Sequence, residues 1–194
     1  MFVPTIDTVR FSTIMTLMIE QQRAVFLTGD SGTGKTAIIT QLLQKLEPTS
    51  AEGGLGVNAL FISYSAQTSS LVTQCTIEGK MERKKKTLLG APVNRKVVIF
   101  IDDVNMPLVE TYGAQAPVEL MRQFLDHNSF FDRDKLFQKW FQDTMCFTAA
   151  APPGDPLTEP LDVLRSTDFG DCITTDDCRR GFLLRGVLSL WGSS

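Results

Sequence analysis

The sequence predicts an α/β fold with three layers, in which helices cover both faces of a parallel central sheet. Four short apolar runs are typical of strands, and amphipathic helical patterns lie between them. A glycine-rich octet joins the first strand to the helix that follows it. Strands that alternate with helices form parallel sheets with right-handed crossovers. A length of 194 residues allows one such domain and is short for two.

The first strand and the first helix flank the glycine-rich octet. Residues 24–28 (AVFLT) are mostly apolar and end at Gly29, as expected for a buried strand of a parallel sheet. Over residues 36–46, apolar side chains recur at spacings of three and four, which predicts a helix. The proline and glycines of residues 48–56 predict a surface loop after it.

Three further strands and two further helices complete the predicted sheet and its layers. The strands are expected at residues 59–64 (ALFISY), 97–101 (VVIFI) and 145–149 (MCFTA). One helix is predicted at about 68–81, and a second at 118–125, where Pro117 opens the first turn. The predicted order is therefore strand, helix, strand, helix, strand, helix, strand.

Charge and cysteine content exclude some classes of function. With 19 basic and 22 acidic residues the net charge is −3, so no overall positive field attracts nucleic acid or an anionic membrane. The chain start lacks the pattern of a secretory signal, and no apolar run approaches a membrane span. We expect an intracellular, reducing setting in which the cysteines stay unbridged: Cys75, Cys146, Cys172 and Cys178.

The strongest functional signal is an octet that matches the P-loop pattern GxxxxGK(S/T): Gly29, Asp30, Ser31, Gly32, Thr33, Gly34, Lys35 and Thr36. Its glycines permit positive φ angles, which let successive amides point at phosphate oxygens beside a helix N-terminus. Lys35 is expected to reach the β and γ phosphates, and the Thr36 hydroxyl to bind Mg²⁺. The octet thus predicts ATP and Mg²⁺ as ligands, the alternative being a glycine-rich turn that serves only packing.

Two aspartates follow the strand predicted at 97–101. A carboxylate at the carboxyl end of a parallel strand lies near a neighbouring P-loop, so Asp102 is expected to hold Mg²⁺. Asp103 is the candidate catalytic residue, at the place where many ATPases carry a glutamate that orients the attacking water. Its side chain is one methylene shorter, so the sequence supports binding better than hydrolysis. The alternative is an acidic surface pair at the end of a strand.

Three other features carry weaker predictions. Residues 80–86 (KMERKKK) are interpreted as a solvated helix end, the alternative being an anion-binding patch. His127 is interpreted as a surface residue because no cysteine or histidine cluster accompanies it. Breakers at 153–156 and weak periodicity beyond them predict a nucleotide-binding core at 1–154 and an unrelated, poorly ordered tail at 155–194.

With these residues in view, the segment from about residue 2 to 154 closely resembles the third AAA+ module of axonemal dynein heavy chains. The resemblance rests on six segments: 2–10 (FVPTIDTVR), 65–68 (SAQT), 100–107 (FIDDVNMP), 112–115 (YGAQ), 119–127 (ELMRQFLDH) and 151–154 (APPG). It implies an AAA+ large subdomain. The helical lid that normally follows is not found after residue 154.

The resemblance also implies a setting and a set of partners. They are the neighbouring AAA+ modules of a dynein ring, the intermediate and light chains, and microtubules, with no nucleic acid and no membrane. The implied location is the cytoplasm and cytoskeleton, at the axoneme of a cilium or flagellum. Such a module regulates the main hydrolysing module, and Ala151 stands where hydrolysing relatives often place an asparagine. Two alternatives stay open, namely a non-enzymatic assembly module stabilised by nucleotide and a free-standing P-loop ATPase.

Overall fold

Two sheets and four helices organise the described part of the chain. A computed structural model describes residues 5–30, 32–47, 56–151 and the backbone of 171–174. The helices are α1 (Ile6–Glu20), α2 (Lys35–Leu46), α3 (Ser70–Lys80) and α4 (Ala116–His127). The strands are β1 (Val25–Thr28), β2 (Val57–Ser63), β3 (Glu82–Lys85), β4 (Leu88–Gly90), β5 (Lys96–Asp102), β6 (Ser129–Phe131), β7 (Gln138–Gln142), β8 (Thr144–Ala150) and β9 (Asp171–Thr174).

The central sheet is parallel and runs in the order β2-β5-β8-β1-β9. Its side chains divide between two hydrophobic cores. One core joins α1 and α2 to residues such as Val98 and Phe147, and the other joins α3 and α4 to residues such as Ile99 and Cys146. Because alternate residues of β5 and β8 enter opposite cores, helices cover both faces of the sheet. The predicted three-layer α/β fold with a parallel sheet is confirmed, and no helical lid occurs among the described residues.

The four predicted strands are present as β1, β2, β5 and β8, with ends that differ by one or two residues. The helices predicted at 36–46, 68–81 and 118–125 are present as α2, α3 and α4. Helix α1 was not predicted, because Ile6, Val9 and Leu17 are exposed and blur its apolar stripe. Its start is marked by a capping box, in which Thr5 and Thr8 satisfy each other's backbone amides.

The second sheet runs in the order β3-β4-β7-β6 and corrects the interpretation of residues 80–86. Helix α3 ends at Lys80, and residues 82–85 form a strand that pairs antiparallel with β4. The four side chains of β3 are all exposed, so the segment has no alternation of buried and exposed residues that would predict a strand. Pairing of its backbone with β4 decides its conformation.

Residues 171–174 form β9, which pairs in parallel with β1 at the edge of the central sheet. The polar sequence of this stretch did not predict a strand. The other residues of 155–194 lie outside the described ranges, as do the side chains of Cys172 and Cys178. Cys75 and Cys146 are free, and burial raises the pKa of the Cys146 thiol, so it stays protonated and inert.

Two surface observations complete the fold. His127 is exposed at the last turn of α4, as interpreted from the sequence. In the described ranges, none of the helices combines the length and apolar character that a membrane crossing requires.

Candidate nucleotide-binding site

The loop between β1 and α2 holds the residues of the P-loop pattern. Gly32 and Gly34 adopt positive φ angles of 81° and 82°. A Cβ atom at either position would meet nothing within 4 Å, so glycine is required there by backbone conformation and not by crowding. Ser31 lies outside the described residues.

The N-terminus of α2 opens directly onto this loop. Gly34 is the N-cap residue, and among the described residues no side chain caps the helix by accepting a hydrogen bond from its first-turn amides. The free amides of a first helical turn, together with the positive end of the helix dipole, form a site for an anion. Asp30 and Thr33 lie on the exposed side of the loop, where the Thr33 hydroxyl donates to the Asp30 carbonyl at 2.9 Å.

The ammonium group of Lys35 lies over the loop. Its Nζ donates hydrogen bonds to the carbonyl oxygens of Gly29 at 2.7 Å and Asp30 at 2.8 Å. An ammonium has three donors, and within the described ranges two of them are used, which leaves the third for an oxygen of a bound anion. These contacts orient the charge without neutralising it, since both acceptors are backbone carbonyls.

Thr36 and Asp102 meet across the central sheet although they are 66 residues apart in sequence. The Thr36 hydroxyl donates to Asp102 Oδ2 at 2.7 Å. The other carboxylate oxygen of Asp102 accepts from the amide of Asp103 at 3.2 Å. The structure therefore brings both predicted magnesium ligands together, and their binding of the metal stays a prediction.

Asp103 lies next to this pair in a left-handed backbone conformation, with φ of 53°. Loss of hydration raises the pKa of its carboxyl group, the Asp102 carboxylate raises it further, and the Lys35 ammonium opposes both. Asp103 is therefore within electrostatic reach of the loop. Its catalytic role stays a prediction.

Ala151 directly follows the end of β8. Its carbonyl accepts a hydrogen bond from the Thr28 hydroxyl at 3.1 Å, which ties the end of β8 to the end of β1. Its side chain is a methyl group, which can neither donate nor accept a hydrogen bond. The position at this end of the sheet is therefore apolar.

A buried glutamine that the sequence analysis did not single out holds the loop after Asp103. Gln115 is 3% exposed, and its amide nitrogen donates to the carbonyl oxygens of Asn105 and Pro107. The amide of Leu108 in turn donates to Ala66, at the turn that follows β2. The only sequence signal for this role was the YGAQ segment, where the glutamine had no assigned contact.

The donor atoms at this site fit a magnesium ion. Mg²⁺ prefers hard oxygen ligands and usually takes one or two from the protein, with phosphate and water completing the shell. The Thr36 hydroxyl and the Asp102 carboxylate are such ligands. No group of three or more His, Cys, Asp or Glu side chains suited to a metal occurs in the described ranges, so a cage made of protein alone is absent there.

Comparisons with known proteins agree with the P-loop geometry. Residues 1–159 match the family described as the P-loop containing dynein motor region. The chain is 46% identical over 161 residues to dynein axonemal heavy chain 6 of Homo sapiens, which covers 81% of this chain and 4% of that protein. It is 38% identical over 193 residues to dynein axonemal heavy chain 1 of Mus musculus, which covers 97% of this chain and 4% of that protein.

The chain thus spans 4% of the length of each of these relatives. The family match covers most of the chain and includes the loop, β5 and α4. The chain belongs to the family of P-loop containing dynein motor regions.

Proposed function

We propose that this chain is an AAA+ module of an axonemal dynein heavy chain that binds ATP together with Mg²⁺. The observation that carries the proposal is the 2.7 Å contact between Thr36 and Asp102, beside a helix N-terminus that no described side chain caps. A glycine-rich turn that served only packing would not need a carboxylate from another strand at this point. The contact supports a site built for phosphate and metal.

Different groups of the chain bind the phosphates and the metal. The amides of the loop and of the first turn of α2 hold phosphate oxygens, and the third donor of Lys35 adds a charged hydrogen bond. Thr36 and Asp102 position the metal from two different elements. Magnesium, when bound, neutralises phosphate charge and polarises the phosphoryl group.

We infer that the site has a regulatory role in the dynein ring and that it hydrolyses ATP weakly or not at all. Asp103 is exposed and one methylene shorter than glutamate, and Ala151 offers no polar group. A base held about 1 Å from its working position can lose about a hundredfold in rate. These two residues also favour the second candidate function, a non-enzymatic assembly module stabilised by its nucleotide.

At the level of the parent protein, we propose that the chain corresponds to the third AAA+ module of the dynein ring. Its partners are then the neighbouring AAA+ modules, the intermediate and light chains, and microtubules. The expected location is the cytoplasm and cytoskeleton, at the axoneme of a cilium or flagellum. A free-standing P-loop ATPase is disfavoured because the chain belongs to a dynein motor family.

Titration of the full chain with a fluorescent ATP analogue tests the binding proposal. Lys35→Ala removes the charged donor over the loop, so affinity is expected to fall by about 10- to 100-fold, since hydrogen bonds to charged groups contribute about 1.5–3 kcal/mol. Lys45→Ala is the matched control, because Lys45 is exposed at the far end of the same helix. Equal affinities for the two folded variants would exclude the loop as the binding site.

Phosphate release measured on the same samples separates the two candidate functions. Turnover that disappears in Lys35→Ala indicates an enzyme. Binding without turnover indicates the non-enzymatic module.

A further inference from the structure

The free edge of the second sheet carries a cluster of cations that the nucleotide site does not use. Residues 80–86 contain five basic side chains and one acidic one, in a chain whose net charge is −3. All five cations are exposed: Lys80, Arg83, Lys84, Lys85 and Lys86. We call this segment the basic edge, and three of its cations lie on β3 itself.

The cation on the other strands of the same sheet, Lys139 on β7, is neutralised. Lys139 is almost buried and contacts Glu78 Oε2 at 2.6 Å and Asp132 Oδ2 at 2.9 Å. Arg133, in the turn between β6 and β7, is not neutralised by any described residue but donates hydrogen bonds to the side chains of Gln74 and Ser70 on α3. By contrast, no cation of the basic edge has an ion pair or a side-chain hydrogen bond within the described ranges.

The charges of the basic edge act together. Neighbouring residues of a strand are about 3.3 Å apart, which is well within the Debye length of about 8 Å at physiological salt. Their mutual repulsion is therefore poorly screened, and a complementary anion would relieve it. Lysine on an edge strand also discourages pairing with uncharged strands, so the basic edge selects against neutral partners.

The backbone of β3 shows how such an anion can bind. One edge of β3 pairs with β4, and no described strand pairs with the other edge. Arg83 lies opposite Leu89 and Lys85 lies opposite Leu88, with a shift in register between the two pairs. Because successive residues of β4 face opposite sides, these cations are divided between the two faces of the sheet. A partner lying on one face reaches only part of them, whereas a strand added at the edge can place carboxylates on both faces.

We propose that the basic edge binds an extended, acidic segment of a partner protein, which adds to β3 as a further strand. Backbone hydrogen bonds to β3 supply part of the affinity, and successive glutamate or aspartate side chains meet the cations on the two faces. This interaction surface is independent of the nucleotide-binding site.

The test uses the full chain and a labelled peptide of about ten residues in which pairs of glutamates alternate with pairs of valines, so that carboxylates lie on both faces of the added strand. Fluorescence anisotropy should show binding that weakens as salt rises, because exposed ion pairs are screened. A peptide with glutamine in place of glutamate should bind about tenfold more weakly or not at all. Because this comparison uses the unmodified chain, it does not depend on the folding of a variant.

Charge-reversal variants locate the surface. Lys84→Glu/Lys85→Glu should weaken peptide binding by about tenfold or more, since two attractions become repulsions. The control is Arg10→Glu/Lys45→Glu, which changes the same number of charges on the α1–α2 side of the central sheet and should leave binding unchanged. Equal losses in both variants, or none in either, would overturn the proposal.

Hydrogen exchange tests the mode of binding. Strand addition should slow exchange of amides within residues 82–86 when the acidic peptide is present. Binding without that protection would show side-chain attraction alone and would contradict the added strand. A single-stranded oligonucleotide that bound more tightly than the peptide would assign the basic edge to nucleic acid and overturn the proposal as well.

Discussion

Asp103 adopts a backbone conformation that few residues other than glycine, asparagine and aspartate accept. Its φ of 53° lies in the left-handed region, where a short polar side chain is tolerated better than a long one. The same position needs a longer carboxylate if it is to reach an attacking water. Backbone conformation and catalysis therefore favour different residues at position 103.

Replacing both residues that weaken the catalytic arrangement should raise hydrolysis. In Asp103→Glu/Ala151→Asn the carboxylate at position 103 is one methylene longer, and a polar side chain follows β8. Phosphate release is therefore expected to rise by about tenfold or more. Thermal unfolding should begin at a slightly lower temperature because glutamate fits the left-handed conformation less well. Asp103→Asn serves as the control, since it keeps the conformation and removes the base. Unchanged phosphate release in a double variant that still binds ATP would exclude this explanation of weak turnover.

At the scale of elements, a network of ion pairs and hydrogen bonds connects the β6–β7 hairpin to α3. Asp132, in the turn between the two strands, accepts hydrogen bonds from the amides of Asp134 and Lys135 and pairs with Lys139. Lys139 also contacts Glu78 on α3. These contacts, with Lys139 foremost, lower the pKa of Asp132 to about 2.

The network predicts how the stability of the hairpin depends on pH. Because the folded-state pKa of Asp132 lies below its ordinary value of 3.8, the charged form stabilises the folded chain. That stability is fully present above about pH 4 and is lost as the pH falls towards 2. Asp132→Asn should therefore lower the urea midpoint at pH 7, and the difference from the unmodified chain should shrink below pH 4.

Urea unfolding at several pH values between 2 and 7 measures this difference. Asp134→Asn is the matched control, because no ion pair involving the Asp134 side chain occurs among the described residues. A difference that stayed constant over the whole pH range would show that the Asp132 carboxylate contributes no charge-dependent stability.

At the scale of the whole molecule, the parts that the sequence predicted are those with strong local patterns. The loop at 29–36 was predictable because its glycines and Lys35 have fixed chemical roles, and β5 because five successive apolar residues require burial on both faces. The meeting of Thr36 and Asp102 then follows from parallel topology, in which the strands end at one edge of the sheet.

The second sheet could not be predicted, because long-range pairing decides it. Strand β4 pairs in parallel with β7, so that Leu88 lies opposite Trp140, and neither strand has more than five residues. Strand β3 has four exposed side chains and no apolar pattern at all. Strand β9 likewise lies in a polar stretch and depends on pairing with β1.

We propose that Asp102 and the loop at 29–36 act as one site for ATP and magnesium. Calorimetric titration with ATP, in the presence and absence of Mg²⁺, tests it most directly on the unmodified chain and on Asp102→Asn. The unmodified chain should bind more tightly with magnesium, and Asp102→Asn should lose most of that gain while keeping the binding measured without the metal. A folded, unmodified chain that bound no ATP, or an Asp102→Asn variant with the full magnesium effect, would contradict the claim.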